Sequence, residues 1–105
     1  MKQRITQLQI AELSSEQTDK LRSRWKPQEG DYIAIGDHEE MIYYLNGVDR
    51  IKSLPLLNVG QILQFLSEHG RIHAMHQDDR EWVVNDRYRA GELCDALWQA
   101  LIDCL

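Results

Sequence analysis

The stretch Ser14–Ile35, SSEQTDKLRSRWKPQEGDYIAI, holds a helix start, a helix stop, a turn and a strand start, and its reading decides the fold class. Ser14 stands three residues before Gln17, the spacing of a capping box, and helix formers continue to Trp25. Pro27 ends that helix near Lys26, because its ring pushes the preceding residue out of the helical region and it has no N–H to donate. Pro27-Gln28-Glu29-Gly30-Asp31 is turn chemistry and opens onto Tyr32-Ile33-Ala34-Ile35, which is rich in strand-forming residues. A helix that yields directly to a strand points to a mixed fold.

Working outward, Gly36-Asp37-His38-Glu39 reads as a hairpin connection into Glu40–Leu45. Asn46-Gly47 is the strongest two-residue turn signal in the chain; it suits a type I′ turn and predicts a third strand of a meander within Val48–Leu54. Toward the N-terminus, Thr6, Leu8 and Ile10 alternate as in a strand, whereas Ile5, Leu8 and Leu13 suit a helix, so residues 4–10 support either. Asn58 with Gln61 three residues on predicts a second helix that runs to His69 and stops at Gly70. Arg71–His76 and Glu81–Asn85, joined by the polar turn Gln77–Arg80, predict a second hairpin. Ala90–Leu105 places Leu93, Leu97, Ala100, Leu101 and Cys104 on one stripe flanked by Ala96 and Trp98, the pattern of a closing helix. The expectation is an α+β single domain over residues 1–105, an antiparallel sheet of two hairpins with about four or five strands and about three helices.

With 43% hydrophobic and 28% charged residues over 105 positions, the chain has enough apolar side chains for one core and too many for a disordered tract. No apolar run is long enough to span a bilayer and Met1–Gln7 lacks the apolar stretch of a signal peptide, which predicts a cytoplasmic protein without membrane partners. A net charge of −5 is the wrong sign for a protein held on nucleic acid by phosphate neutralisation. Residues 1–26 nevertheless hold six bases against three acids, so Lys20, Arg22, Arg24 and Lys26 are a candidate nucleic-acid patch; the plainer reading is cations complementing a helix C-terminus. Cys94 and Cys104 lie ten residues apart in one expected helix, about 15 Å along its axis. That is too far for a disulfide, and neither cysteine has a Cys-x-x-Cys context.

His69, His73 and His76 fall within eight residues and invite a metal site. In a strand, however, His73 and His76 point to opposite faces, and a tetrahedral zinc site needs converging ligands. Asp78-Asp79-Arg80-Glu81 lacks the spaced ligands and central glycine of a calcium loop. The phosphate-cradling glycine motifs and the nucleophile elbow are absent, and the serines sit at cap or helix-surface positions. No catalytic residue, cofactor or metal ligand is therefore assigned, an enzyme is not expected, and a small metal-binding hydrolase ranks last.

The aromatic residues are more suggestive. Tyr43-Tyr44 in a strand must send one ring to each side of a sheet, and the closing helix is apolar over more than one face. Tyr43, Tyr44, Trp82 and Trp98 are accordingly the candidate interaction surface, with a second copy of the chain or another protein as partner. The run Trp25-Lys26-Pro27-Gln28-Glu29-Gly30-Asp31-Tyr32, followed by Leu54-Pro55, Gln61–Leu66, Trp82 and Ala96–Leu101, resembles a group of small proteins encoded by phages and prophages of Gram-positive bacteria. Ser53 departs from that group, which carries an aromatic before its Leu-Pro pair. The resemblance implies a mobile-element setting and carries no site. The expected function is a non-enzymatic accessory or interaction module that self-associates; nucleic-acid association through Lys20–Lys26 is the alternative.

Overall fold

A computed structural model describes residues 1–105, which form two compact units: Thr6–Leu57, and Met1–Ile5 together with Asn58–Leu105. The class is α+β, with four α-helices and two three-stranded antiparallel sheets. This corrects the expected count of strands and helices and replaces one sheet with two.

In the Thr6–Leu57 unit, helix α1 (Gln7–Ala11) is started by Thr6, whose hydroxyl accepts from the Gln9 N–H at 3.2 Å while Gln9 Oε1 accepts from the Thr6 N–H at 3.0 Å. Of the two readings of residues 4–10 the helix is the one that forms, and no strand does; ahead of the helix, Arg4, in the other unit, makes an isolated antiparallel bridge with Asn58. Helix α2 (Ser15–Arg24) begins with the same reciprocal cap from Ser14 and Gln17. It ends at Trp25, whose backbone is already extended (ψ 131°) ahead of Pro27. Strand β1 (Tyr32–Ile35) follows and pairs with β2 (His38–Met41) through the Gly36-Asp37 turn, where Gly36 has φ +60°.

The expected meander does not form. After β2 the chain makes a 3-10 turn at Leu45–Gly47, and Gly47 does not take the positive φ that a type I′ turn requires. The next strand, β3 (Ser53–Pro55), pairs with β1 instead of β2, giving the order β2-β1-β3. The reason is in the side chains. Tyr32-Ile33-Ala34-Ile35 is the apolar strand, with Ile33 and Ala34 buried, whereas His38-Glu39-Glu40-Met41 is exposed along most of its length and belongs at an edge. Trp25, Ile33 and Ile42 form the buried cluster of this unit, with Ile35 and Val48 against it.

In the other unit, helix α3 (Val59–Glu68) starts at an Asn58–Gln61 capping box. It closes in a Schellman motif: Gly70 takes φ +63°, its N–H donates to the Ser67 carbonyl, and the Arg71 N–H donates to the Leu66 carbonyl at 2.7 Å. Strands β4 (Met75–Asp78), β5 (Glu81–Val84) and β6 (Tyr88–Ala90) make the second sheet in that order. The turn into this third strand carries no glycine: Asn85 and Asp86 both sit near φ +55° and the Arg87 N–H donates to the Val84 carbonyl, so the paired positive φ expected at Asn46-Gly47 occurs here instead. Ala90 therefore belongs to β6, and helix α4 begins later, at Leu93–Ile102. Leu93, Cys94, Ala96, Leu97, Trp98, Ala100 and Leu101 of α4 are all buried, as are Ile62, Leu66, Val83 and Val84. Lys2 ties the N-terminus to α4, with Nζ 2.6 Å from Asp95 Oδ1.

No helix is long and apolar enough to cross a membrane. Urea unfolding separates the two glycine environments: Gly36→Ala is expected to cost about 1–2 kcal/mol because alanine resists positive φ, whereas Gly47→Ala changes stability by less than about 1 kcal/mol. A type I′ turn at Asn46-Gly47 would make the second loss as large as the first.

Candidate functional site

Two surfaces carry side chains that could act on something outside the chain, one in each unit. The first is the connection that follows β2. Tyr43 is 70% exposed, Tyr44 76%, Leu45 47% and Ile51 82%. Both tyrosines lie outside because the β2 ladder ends before them: Ile42 is the last residue anchored, its N–H donating to the Asp31 carbonyl and its carbonyl accepting from Gly30, each at 2.8 Å. The alternation argument, one ring in and one ring out, fails because the backbone is no longer a strand there.

This connection is braced by its own hydrogen bonds. The Gly47 N–H donates to the Tyr44 carbonyl and the Val48 N–H to the Leu45 carbonyl. Asp49 Oδ1 accepts from the Ile51 and Lys52 N–H groups at 3.1 and 3.2 Å, an Asx turn. Arg50 Nη2 donates to the Trp25 carbonyl at 3.0 Å, tying the connection to the end of α2. The exposed apolar side chains thus stand on a supported loop flanked by the acidic strand β2.

The other candidates fare differently. Trp98 is 2% exposed and inside the core, so it offers no surface; α4 buries more than one of its faces within the chain itself. Trp82 is half-buried in β5. The basic segment is largely spent internally: Lys20 pairs with Glu16 at 3.5 Å, Arg22 pairs with Asp19 and donates to the Ser53 carbonyl, and Arg22 and Arg24 occupy the last turn of α2, where cations complement the helix dipole.

The second surface is a cavity of about 230 Å³ in the Asn58–Leu105 part, with Arg71, His73, Arg87, Tyr88 and Asp103 among its walls. Asn85 builds its rim. The carboxamide oxygen accepts from the His73 N–H at 2.7 Å and the Ala74 N–H at 3.3 Å, and the amide nitrogen donates to the Arg71 carbonyl at 2.7 Å. Asp103 holds the opposite side, accepting from the Tyr88 hydroxyl at 2.5 Å and lying 3.7 Å from Arg87 Nη2. The hydrogen bond to Asp103 raises the Tyr88 pKa, because the neutral phenol is the donor; burial and the charge of Asp103 add to the rise and Arg87 opposes it.

No three His, Cys, Asp or Glu side chains come together as a metal site. His38 faces Glu40 at 3.0 Å, and His69 stacks on Phe65 with its Nδ1 at the Phe65 carbonyl. Asp78 and Glu81 both approach Arg89. Cys94 is buried and Cys104 half-buried, both free; burial pushes the Cys94 thiol up to about 11, against nucleophilic use.

No protein-family model matches the chain, and neither a curated protein nor a solved structure matches it.

Two outcomes follow from this geometry. Asn85→Ala is expected to lower the unfolding free energy by about 1–3 kcal/mol, through three lost hydrogen bonds and a side chain less tolerant of positive φ; a change under about 0.5 kcal/mol would contradict the staple. The raised Cys94 pKa means that the unfolded thiol ionises before the folded one. Its contribution to stability is complete below its ordinary value of 9.0 and is lost as pH rises toward 11. Unfolding curves across that window should fall more steeply for the native sequence than for Cys94→Ala, and parallel curves would contradict it.

Proposed function

We propose that this chain is a non-enzymatic interaction module that docks a protein partner through Tyr43, Tyr44, Leu45 and Ile51. The observation that carries the reading is the exposure of four large apolar side chains within nine residues of one braced connection. Such groups cost free energy in water, tyrosine anchors interfaces well, and a loop already held in place loses little further freedom on binding. An accessory role of this kind fits the mobile-element setting implied by the Trp-Lys-Pro-Gln-Glu-Gly-Asp run.

A second copy of the chain is the partner the surface suits first. A two-fold contact lets one patch serve both sides, so apolar groups meet apolar groups. Direct β2–β2 pairing is disfavoured, since Glu39 and Glu40 would bring like charges together along an exposed edge. The contact would therefore centre on the side chains of the connection and leave the strand edges apart. The basic end of α2 is the weaker reading, because its cations have partners within the helix and beside it.

Sedimentation velocity over a concentration series tests this. The native sequence should show a concentration-dependent dimer, and the double substitution Tyr43→Ser with Tyr44→Ser should weaken it by at least about tenfold, the effect of losing roughly 1.4 kcal/mol at an anchor. A monomer at every concentration would remove self-association, and a dimer indifferent to the substitutions would move the interface elsewhere.

A further inference from the structure

We propose that the cavity bounded by Arg71, His73, Arg87, Tyr88 and Asp103 binds a phosphate group, with the Arg71 and Arg87 guanidinium groups as its donors. The charge balance is the first argument. The chain carries a net charge of −5, yet this one cavity gathers two arginines and a histidine against a single carboxylate. Asp103 does not neutralise the set. Its Oδ2 already accepts the Tyr88 hydroxyl and stands 3.7 Å from Arg87, too far for a close bidentate pair. No hydrogen bond or ion pair within the chain occupies the side chain of Arg71 or of His73.

The second argument is preorganisation. The backbone of Arg71 is fixed twice, by the Schellman bond from its N–H to the Leu66 carbonyl and by the Asn85 amide on its own carbonyl. Arg87 is set by the turn that Asn85 and Asp86 make, with its N–H donating to the Val84 carbonyl, and its guanidinium lies over the Tyr88 ring at 5.3 Å from the centroid. The two arginines therefore approach the cavity from separate, rigidly connected segments. Asn85, whose φ of +55° asparagine tolerates, joins those segments, holding Arg71 through its side chain and Arg87 through the turn it begins.

Size and shape choose the ligand class. A cavity of about 230 Å³ lies below the range that takes drug-sized molecules, so it suits one small group. Two arginines on the cavity wall, carried by separate segments, suit a tetrahedral dianion, which offers oxygens in several directions, better than a planar carboxylate, which one guanidinium fork can satisfy. Arginine also sheds its hydration more readily than lysine, which favours it for phosphate contacts in a partly enclosed site.

The test is a titration of the full chain with inorganic phosphate, followed by amide and arginine side-chain NMR shifts, with acetate as a comparison anion at equal ionic strength. The expected result is saturable shifts at Arg71, His73 and Arg87 with a dissociation constant on the order of 1 mM or tighter, at least about tenfold weaker binding of acetate, and loss of saturation in Arg71→Gln with Arg87→Gln. The spectrum of that variant also reports whether it is folded; should it not be, the single variant Arg71→Gln takes its place. Absence of saturable shifts, saturation centred on other residues, acetate binding as well as phosphate, or binding unchanged in the variant would each overturn the proposal.

Discussion

Each sheet of this protein has one strand apolar enough to be flanked on both sides, and that constraint sets the positions of everything around it. In the first sheet the strand is Tyr32–Ile35, with Ile33 and Ala34 buried; in the second it is Glu81–Val84, with Val83 and Val84 buried. Each takes the centre of three, and the polar strands His38–Met41 and Met75–Asp78 are left at edges where charged side chains remain in water. The edge position of β2 then determines the surface chemistry. With β3 on the far side of β1, no strand lies beyond β2 to carry Tyr43 and Tyr44 inward.

One carboxylate secures the start of the central strand in the first unit. Asp31 Oδ2 accepts from the Trp25 indole N–H at 3.2 Å and from the Gln28 N–H at 3.0 Å, so the helix stop, the turn and the strand entry share a single acceptor. Trp25 packs its ring with Ile33 and Ile42, and its carbonyl receives Arg50 from the connection after β2. The aromatic connection is thereby attached to the same junction that launches β1. In the other unit Asn85 has the corresponding position: one side chain joins the end of the Schellman turn to the β5–β6 turn, and the cavity lies between the arginines that follow each.

Much of the first-order architecture was legible because it is written in local chemistry. The Ser14–Gln17 and Asn58–Gln61 boxes, the stop at Pro27 and the Gly70 terminus are each decided within a few residues, and each occurs as read. What was misread depended on partners distant in sequence. Asn46-Gly47 has intrinsic type I′ chemistry, but a hairpin there would have required β2 to serve as an inner strand, which its glutamates oppose. Asn85-Asp86 adopts that geometry without glycine, since asparagine and aspartate tolerate positive φ, and so β6 left little signal. Trp98 is a candidate for the interaction surface because α4 is apolar around more than one face, yet the chain itself covers those faces. The cavity had no sequence signature at all: Arg71, Arg87 and Asp103 are separated by sixteen residues at each step and are brought together only by the fold.

The central claim is that β3 pairs with β1 and leaves the Tyr43–Ile51 connection outside the sheet. Cross-strand nuclear Overhauser effects test it most directly. The account predicts backbone contacts between Ala34 and Leu54 and between Ile33 and Pro55, and none between His38–Met41 and residues 48–54. Contacts joining β2 to residues 48–54 across Asn46-Gly47 would contradict it, since that hairpin would return one tyrosine to a sheet face and dissolve the exposed aromatic surface.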